Sequence, residues 1–164
     1  HTFWQIVELW GPGHFTTEPG SGAVYTANRT PVGTFYEQIF TDLNNALELL
    51  PETAAEWGRI DMPIAKAFKA RIHLMWASYK KNGFSVSGNE YITADATLAQ
   101  QHYDSAYQLA NEVINDYGFS LLANWEDIWS IDNIRNSEVI WAVNYSDNSQ
   151  YTMPNLMNPW DEDY

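Results

Sequence analysis

The side chains best placed to do chemistry in this chain are aromatic rings and amides, and the chemistry they suit is recognition of neutral polyols. The sequence holds 8 Trp and 10 Tyr among 164 residues. Trp160 and Tyr151 stand in a polar C-terminal stretch beside Asn148 and Gln150, and Trp57 stands in a short connection near Gly58. A flat indole or phenol ring stacks on the apolar face of a sugar, while amides fix the geometry of its hydroxyls. We take Trp160, Tyr151, Asn148, Gln150 and Trp57 as the candidate ligand-binding residues. Packing of the same tail against further protein is an equally good reading of those residues.

Catalytic patterns are missing. There is no His-Glu-x-x-His, no Gly-x-Ser-x-Gly and no phosphate-binding loop ending in Lys-Ser/Thr. Gly11-Pro12-Gly13 and Gly20-Ser21-Gly22 lack a preceding strand and a following helix, so they read as turns. His1, His14, His73 and His102 have no i,i+4 spacing for a metal, and no cysteine is present to supply a thiolate. No cofactor is expected. The 21 acidic residues make chance carboxylate pairs plentiful, and Glu37, Asp42 and Glu48 fit a solvated helix exterior. Asp161-Glu162-Asp163 lacks calcium-loop spacing and reads as a solvated tail. Arg29 and Arg59 precede helix starts, where a planar guanidinium serves loop carbonyls or carboxylates. A formal charge of −13 repels nucleic acid and anionic membrane surfaces. It leaves a neutral sugar unaffected.

Helices must position these residues. Residues 1–10 read as the end of a helix stopped by Gly11-Pro12-Gly13, and 11–29 as a loop. Thr30-Pro31 starts the next helix, with Thr30 as N-cap and a stripe of Phe35, Ile39, Leu43, Ala46, Leu47 and Leu50 closed by Pro51. Asp61 is the N-cap of a third segment, striped by Ile64, Phe68, Ile72, Met75, Trp76 and Tyr79 and stopped by Asn82-Gly83. Ala65, Ala67 and Ala70 are small enough for close helix approach. Residues 83–94 read as a loop. A further helix runs from Asp95 or Thr97 to Tyr117, striped by Leu98, Tyr103, Ala106, Ala110, Val113, Ile114 and Tyr117. Trp125–Ile131 suits a short helical turn, and 138–145 a short extended segment. Trp76, Trp125, Trp129 and Trp141 fall in these stretches and are expected in the core. The sum is an all-α chain of stacked, tetratricopeptide-like helical hairpins with long loops. Its domain spans 1–145, and 146–164 begins a loop-rich ligand-binding region. The apolar start at His1 also makes us expect a fragment or processed product of something longer.

Several stretches together resemble the SusD/RagB family. They are Phe3 through Gly11; Arg29-Thr30-Pro31-Val32 through Leu50-Pro51-Glu52; Gly58-Arg59 before Ala65, Ala67 and Ala70-Arg71; Tyr107 through Trp129; and Asn136-Ser137-Glu138-Val139-Ile140-Trp141. They occur in the family's order across roughly residues 1–145. The family's lipid-attachment cysteine, early N-terminal region and long C-terminal half have no counterpart in these residues. The resemblance implies a tetratricopeptide-like scaffold in a non-catalytic, surface-exposed outer-membrane lipoprotein. Such a protein captures glycan and passes it to a SusC-like TonB-dependent transporter, touching the membrane only through a lipid anchor outside this chain. Two other classes stay open on the residues alone: a tetratricopeptide-like adaptor binding proteins in its helical groove, and a carbohydrate-active hydrolase needing two convergent carboxylates.

Overall fold

A computed structural model describes residues 1–18, 29–86 and 88–142. Helix α1 is Thr2–Trp10, α2 is Val32–Leu49, α3 is Met62–Asn82 and α4 is Ala96–Asp116, with strands β1 (Phe84–Val86) and β2 (Asn89–Ile92) between the last two helices. Two 3₁₀ turns follow, Trp125–Trp129 and Ile131–Asn133. The mainly helical, stacked architecture is the one the periodicity predicts.

The core forms where the apolar stripes of α1, α2 and α3 converge. Val32, Phe35, Tyr36, Ile39 and Leu43 recur at three- and four-residue steps and are all buried. They meet Val7 of α1, Ile72 and Trp76 of α3 and Ile92 of β2. The rings of Tyr36 and Trp76 stack with centroids 4.3 Å apart at 20°. Full burial of each large apolar side chain stabilises the fold by about 1.5–3 kcal/mol, so this cluster is the main favourable term.

Helices α3 and α4 form an antiparallel hairpin. Lys66 meets Glu112 at 2.9 Å, Nδ1 of His73 meets Nδ1 of His102 at 2.7 Å, and Asp95 N–H donates to the Lys80 carbonyl at 2.7 Å. Ala65, Ala70 and Ala77 are buried on α3, and Ala99, Ala106 and Val113 on α4. Small side chains on the buried lines let two helices pack closely. The line on α4 therefore runs through Ala99, Ala106 and Val113, while Ile114, expected in the stripe, is 61% exposed.

Other expectations need correction. Residues 83–94 are not a plain loop: β1 and β2 pair antiparallel, Phe84 opposite Ile92 and Ser85 opposite Glu90, with a bulge between Phe84 and Ser85. Strands this short leave too few alternations to register as a pattern. Gly83 (φ +66°) closes α3 against the hairpin, and a Cβ there would lie 3.1 Å from the Ile92 carbonyl oxygen, so a side chain would strain both elements. Thr30 does not cap α2. It bridges to Gly13, its N–H donating to the Gly13 carbonyl at 2.8 Å, and Pro31 takes the capping position. Asp61 holds its predicted capping position without a side-chain hydrogen bond to the helix, whereas Asp95 caps α4 by accepting from Leu98 N–H at 2.9 Å. Residues 138–142 form no strand. Their entry is set by the Asn136 side-chain oxygen, which accepts from the N–H groups of Glu138 and Val139 at 3.0 and 3.1 Å. The boundary expected at 145/146 lies outside the described residues.

Candidate functional site

The connection between α2 and α3 faces the segment after the second 3₁₀ turn, and a cavity of about 300 Å³ lies between them. Pro51 ends α2, so the chain turns outward before Asp61 restarts it as α3. This lays Glu56, Trp57 and Arg59 along one wall, opposite Arg135, Asn136 and Trp141. Trp57 is 42% exposed and Trp141 44% exposed, so both offer ring surface to solvent. The Arg135 guanidinium lies 4.7 Å from the Trp57 ring centroid, a cation–π contact that holds the indole in place. Arg59 Nε donates to Glu56 Oε2 at 3.2 Å on the open rim. Asp61 Oδ2 accepts from Ala54 N–H at 3.4 Å and ties the connection to the start of α3, while Asp61 Oδ1 is buried without a partner among the described residues.

Two indole faces, two guanidinium groups and one amide around an open cavity can stack on a ring and hydrogen-bond its hydroxyls. Of the five candidate residues named from the sequence, Trp57 lies in this cavity. Trp160, Tyr151, Asn148 and Gln150 lie outside the described residues. Trp141 and Arg135 are the partners that sequence reasoning missed. Trp141 sits in the apolar run Val139-Ile140-Trp141-Ala142, which made it look like core, and the side chain caps of the preceding Asn136 were the only local sign of a surface turn. Trp125 and Trp129 depart further from expectation: they are 72% and 71% exposed, edge to face at 6.0 Å. Trp76 is in the core as expected.

A second cavity, about 460 Å³ and mainly apolar, adjoins the first and shares Ile64, Ile140 and Trp141 with it. The remaining chemistry lies in the scaffold. His73 and His102 face each other beneath the ring of Phe40. Burial, then the nearby His102 and Lys69 charges, lowers His73 to about 4, and burial followed by the Lys80 charge lowers His102. Among the described residues no group of three His, Cys, Asp or Glu side chains is placed to hold a metal, and no helix is long and apolar enough to cross a membrane.

With this geometry in hand, comparison with known proteins is direct. No protein-family model matches the chain. A SusD-like protein P25 of Formosa agariphila is 26% identical over 147 residues, which is 88% of this chain and 23% of that protein. A SusD-like protein of Bacteroides ovatus is 27% identical over 110 residues, covering 67% of this chain and 18% of that one. The chain is SusD-like in sequence. Two solved structures share its fold with TM-scores of 0.64 and 0.68, at 23% and 24% identity. Each covers 88% of this chain, and the chain covers 27% and 26% of theirs. The first of them was solved with a xylogluco-oligosaccharide. The SusD-like segment thus spans about a quarter of the solved chains it matches. The tetratricopeptide-like resemblance read from the residues and the observed stacked helices agree.

Proposed function

We propose that the chain is part of a non-catalytic, glycan-binding lipoprotein of the outer-membrane surface. It captures oligosaccharide or polysaccharide and passes it to a SusC-like TonB-dependent transporter. The observation that carries this reading is similarity to SusD-like proteins across 88% of the chain. The Trp57–Trp141 cavity supports it, because exposed indoles flanked by guanidinium and amide groups match the chemistry of a sugar. Trp160, Tyr151, Asn148 and Gln150 are proposed to extend the same binding chemistry. In this reading the helices serve as scaffold, the membrane is reached through a lipid anchor carried elsewhere, and no cofactor takes part.

The test is calorimetric titration of the full chain with a glycan panel that includes xylogluco-oligosaccharides, alongside an assay for reducing ends. Binding without release of reducing ends is expected. Trp57→Ala should weaken affinity by roughly 3- to 10-fold, the size of one aromatic stacking contact. Absence of binding to every glycan in the panel, or turnover of any of them, would defeat the proposal.

A further inference from the structure

A cavity of about 330 Å³ opens between α1, the β1–β2 hairpin and the segment entering α2, and it shares no lining residue with the Trp57 cavity. Its walls are mainly apolar and aromatic, with Leu9, Trp10, Tyr79, Phe84 and Tyr91 among them, and Glu8 also lines it. Both oxygens of Glu8 are held by tyrosines: Tyr36 Oη donates to Oε1 at 3.0 Å and Tyr79 Oη to Oε2 at 3.4 Å. Those bonds tie α1 to α2 and α3, which is their structural role. They are also bonds from neutral donors. Burial, then the Glu8 charge, pushes the Tyr36 hydroxyl far up from its ordinary range, so it remains a protonated donor.

The carboxylate is thereby oriented but not neutralised. The ion pairs among the described residues are Arg59–Glu56 and Lys66–Glu112, and none reaches Glu8 within 4.0 Å. Arg29 lines the same cavity outside that distance. A partly buried negative charge without a counter-ion favours a cation, and aromatic faces around it strengthen that preference through their quadrupoles. The chain's net charge of −13 adds long-range attraction for positively charged groups. The apolar walls decide what carries the charge. A polyol would leave its hydroxyls largely unmatched against Leu9, Trp10 and Phe84, whereas an alkyl stem lies along them and delivers an ammonium to Glu8.

We propose that this cavity binds a primary ammonium group on an alkyl stem, as presented by a lysine side chain of a peptide, with Glu8 as the anionic contact and Trp10 as the exposed cation–π wall. The site is independent of glycan binding at Trp57.

The experiment is an NMR titration of the full chain, following the Trp10 indole N–H, with Nα-acetyl-lysine amide as probe. Nα-acetyl-norleucine amide serves as the neutral isostere, and glucosamine as the amino-sugar alternative. Saturable shifts with the lysine probe, weakened by salt and at least about tenfold weaker with norleucine, are expected, because a charged hydrogen bond is lost. Glu8→Gln should weaken the lysine probe by a similar factor. Because that change also touches Tyr36 and Tyr79, Trp10→Ala provides a second variant at a largely exposed position, with an expected loss of about 2- to 5-fold. Arg29→Ala should retain or tighten binding, since it removes a nearby positive charge. Equal binding of lysine and norleucine probes, tighter binding of glucosamine than of the lysine probe, unchanged affinity in Trp10→Ala, or loss of binding in Arg29→Ala would each overturn the assignment.

Discussion

Aromatic side chains do opposite things in two parts of this molecule. Where α1, α2 and α3 converge, Phe35, Tyr36 and Trp76 are sealed from solvent and packed ring on ring. Beyond α4, in residues 118–142, Trp125, Trp129 and Trp141 present their rings to solvent. There the chain is shaped by polar local bonds instead: Ser120 and Ser137 pair at 3.0 Å, Leu122 N–H donates to Glu138 at 2.9 Å, and Asn124 donates to Asp127 at 3.1 Å. Tryptophan content alone therefore says little about burial. What separates the regions is whether a ring sits on a repeating helical face that another element can cover.

The contrast predicts its largest effect in stability. Trp76→Ala removes a buried indole and its stacking on Tyr36, and should cost about 3–5 kcal/mol of unfolding free energy. Trp125→Ala, at an exposed ring, should fall within about 0.5 kcal/mol of the wild type. Urea denaturation of both variants checks the pair. Comparable losses at the two positions would erase the distinction between scaffold and exposed segment.

The second effect is a pH dependence peculiar to the packed region. His73, brought down to about 4 by burial and then by the His102 and Lys69 charges, binds fewer protons when folded than when unfolded. Stability from this group is therefore complete above its ordinary unfolded value near 6.5 and is lost as pH falls from there toward 4. His102 is shifted in the same direction by burial and the Lys80 charge, and the two rings titrate as a pair. The groups facing the pair from α2, α3 and α4 are the Phe40 ring and the Lys69 and Lys80 ammoniums. His73→Gln should flatten the loss of stability between pH 7 and pH 4.5. Denaturation midpoints across that range provide the measurement, and a variant curve parallel to the wild type would remove the pair from the account.

This pair also marks how far the sequence could be read. The helices were legible because Phe35, Ile39 and Leu43, or Ile72 and Trp76, repeat at helical spacing and stop at Pro51 and Gly83. The facing of His73 and His102 was not, since it joins residues 29 positions apart through a helix pairing that only packing decides. The β1–β2 hairpin escaped for its brevity, and Thr30 was misassigned because its N–H serves Gly13. In the candidate site, Trp57 was readable as a loop aromatic. Its partners Arg135 and Trp141 were not, because they arrive from about 80 residues away through turns built on asparagine side chains. Local pattern carries the scaffold, and long-range placement carries the site.

A smaller effect tests the α3–α4 seam. Lys66 and Glu112 are partly shielded, their side chains 20% and 31% exposed. Their hydrogen bond holds Glu112 below and Lys66 above their ordinary ranges. A carboxylate lowered in this way contributes stability above its unfolded value and loses it as pH drops through the folded one. Lys66→Met should cost about 0.5–1 kcal/mol at neutral pH, and less in strongly acid solution. Denaturation at two pH values distinguishes the ion pair from simple packing of the lysine stem.

The smallest expected change is the most informative about the cavity at Trp57. Arg59 and Glu56 form a rim pair with side chains 76% and 73% exposed, a setting in which solvent screens both charges. Glu56→Gln should therefore alter stability by less than about 0.5 kcal/mol. The same substitution leaves the Trp57 and Trp141 rings untouched while releasing the Arg59 guanidinium from its carboxylate. If ring stacking dominates ligand recognition, glycan affinity in Glu56→Gln should stay within about twofold of the wild type, with Trp57→Ala several times weaker. A loss in Glu56→Gln as large as in Trp57→Ala would mean that the rim carboxylate, and not the indole, anchors the sugar. The exposed aromatics would then be framing for a polar site.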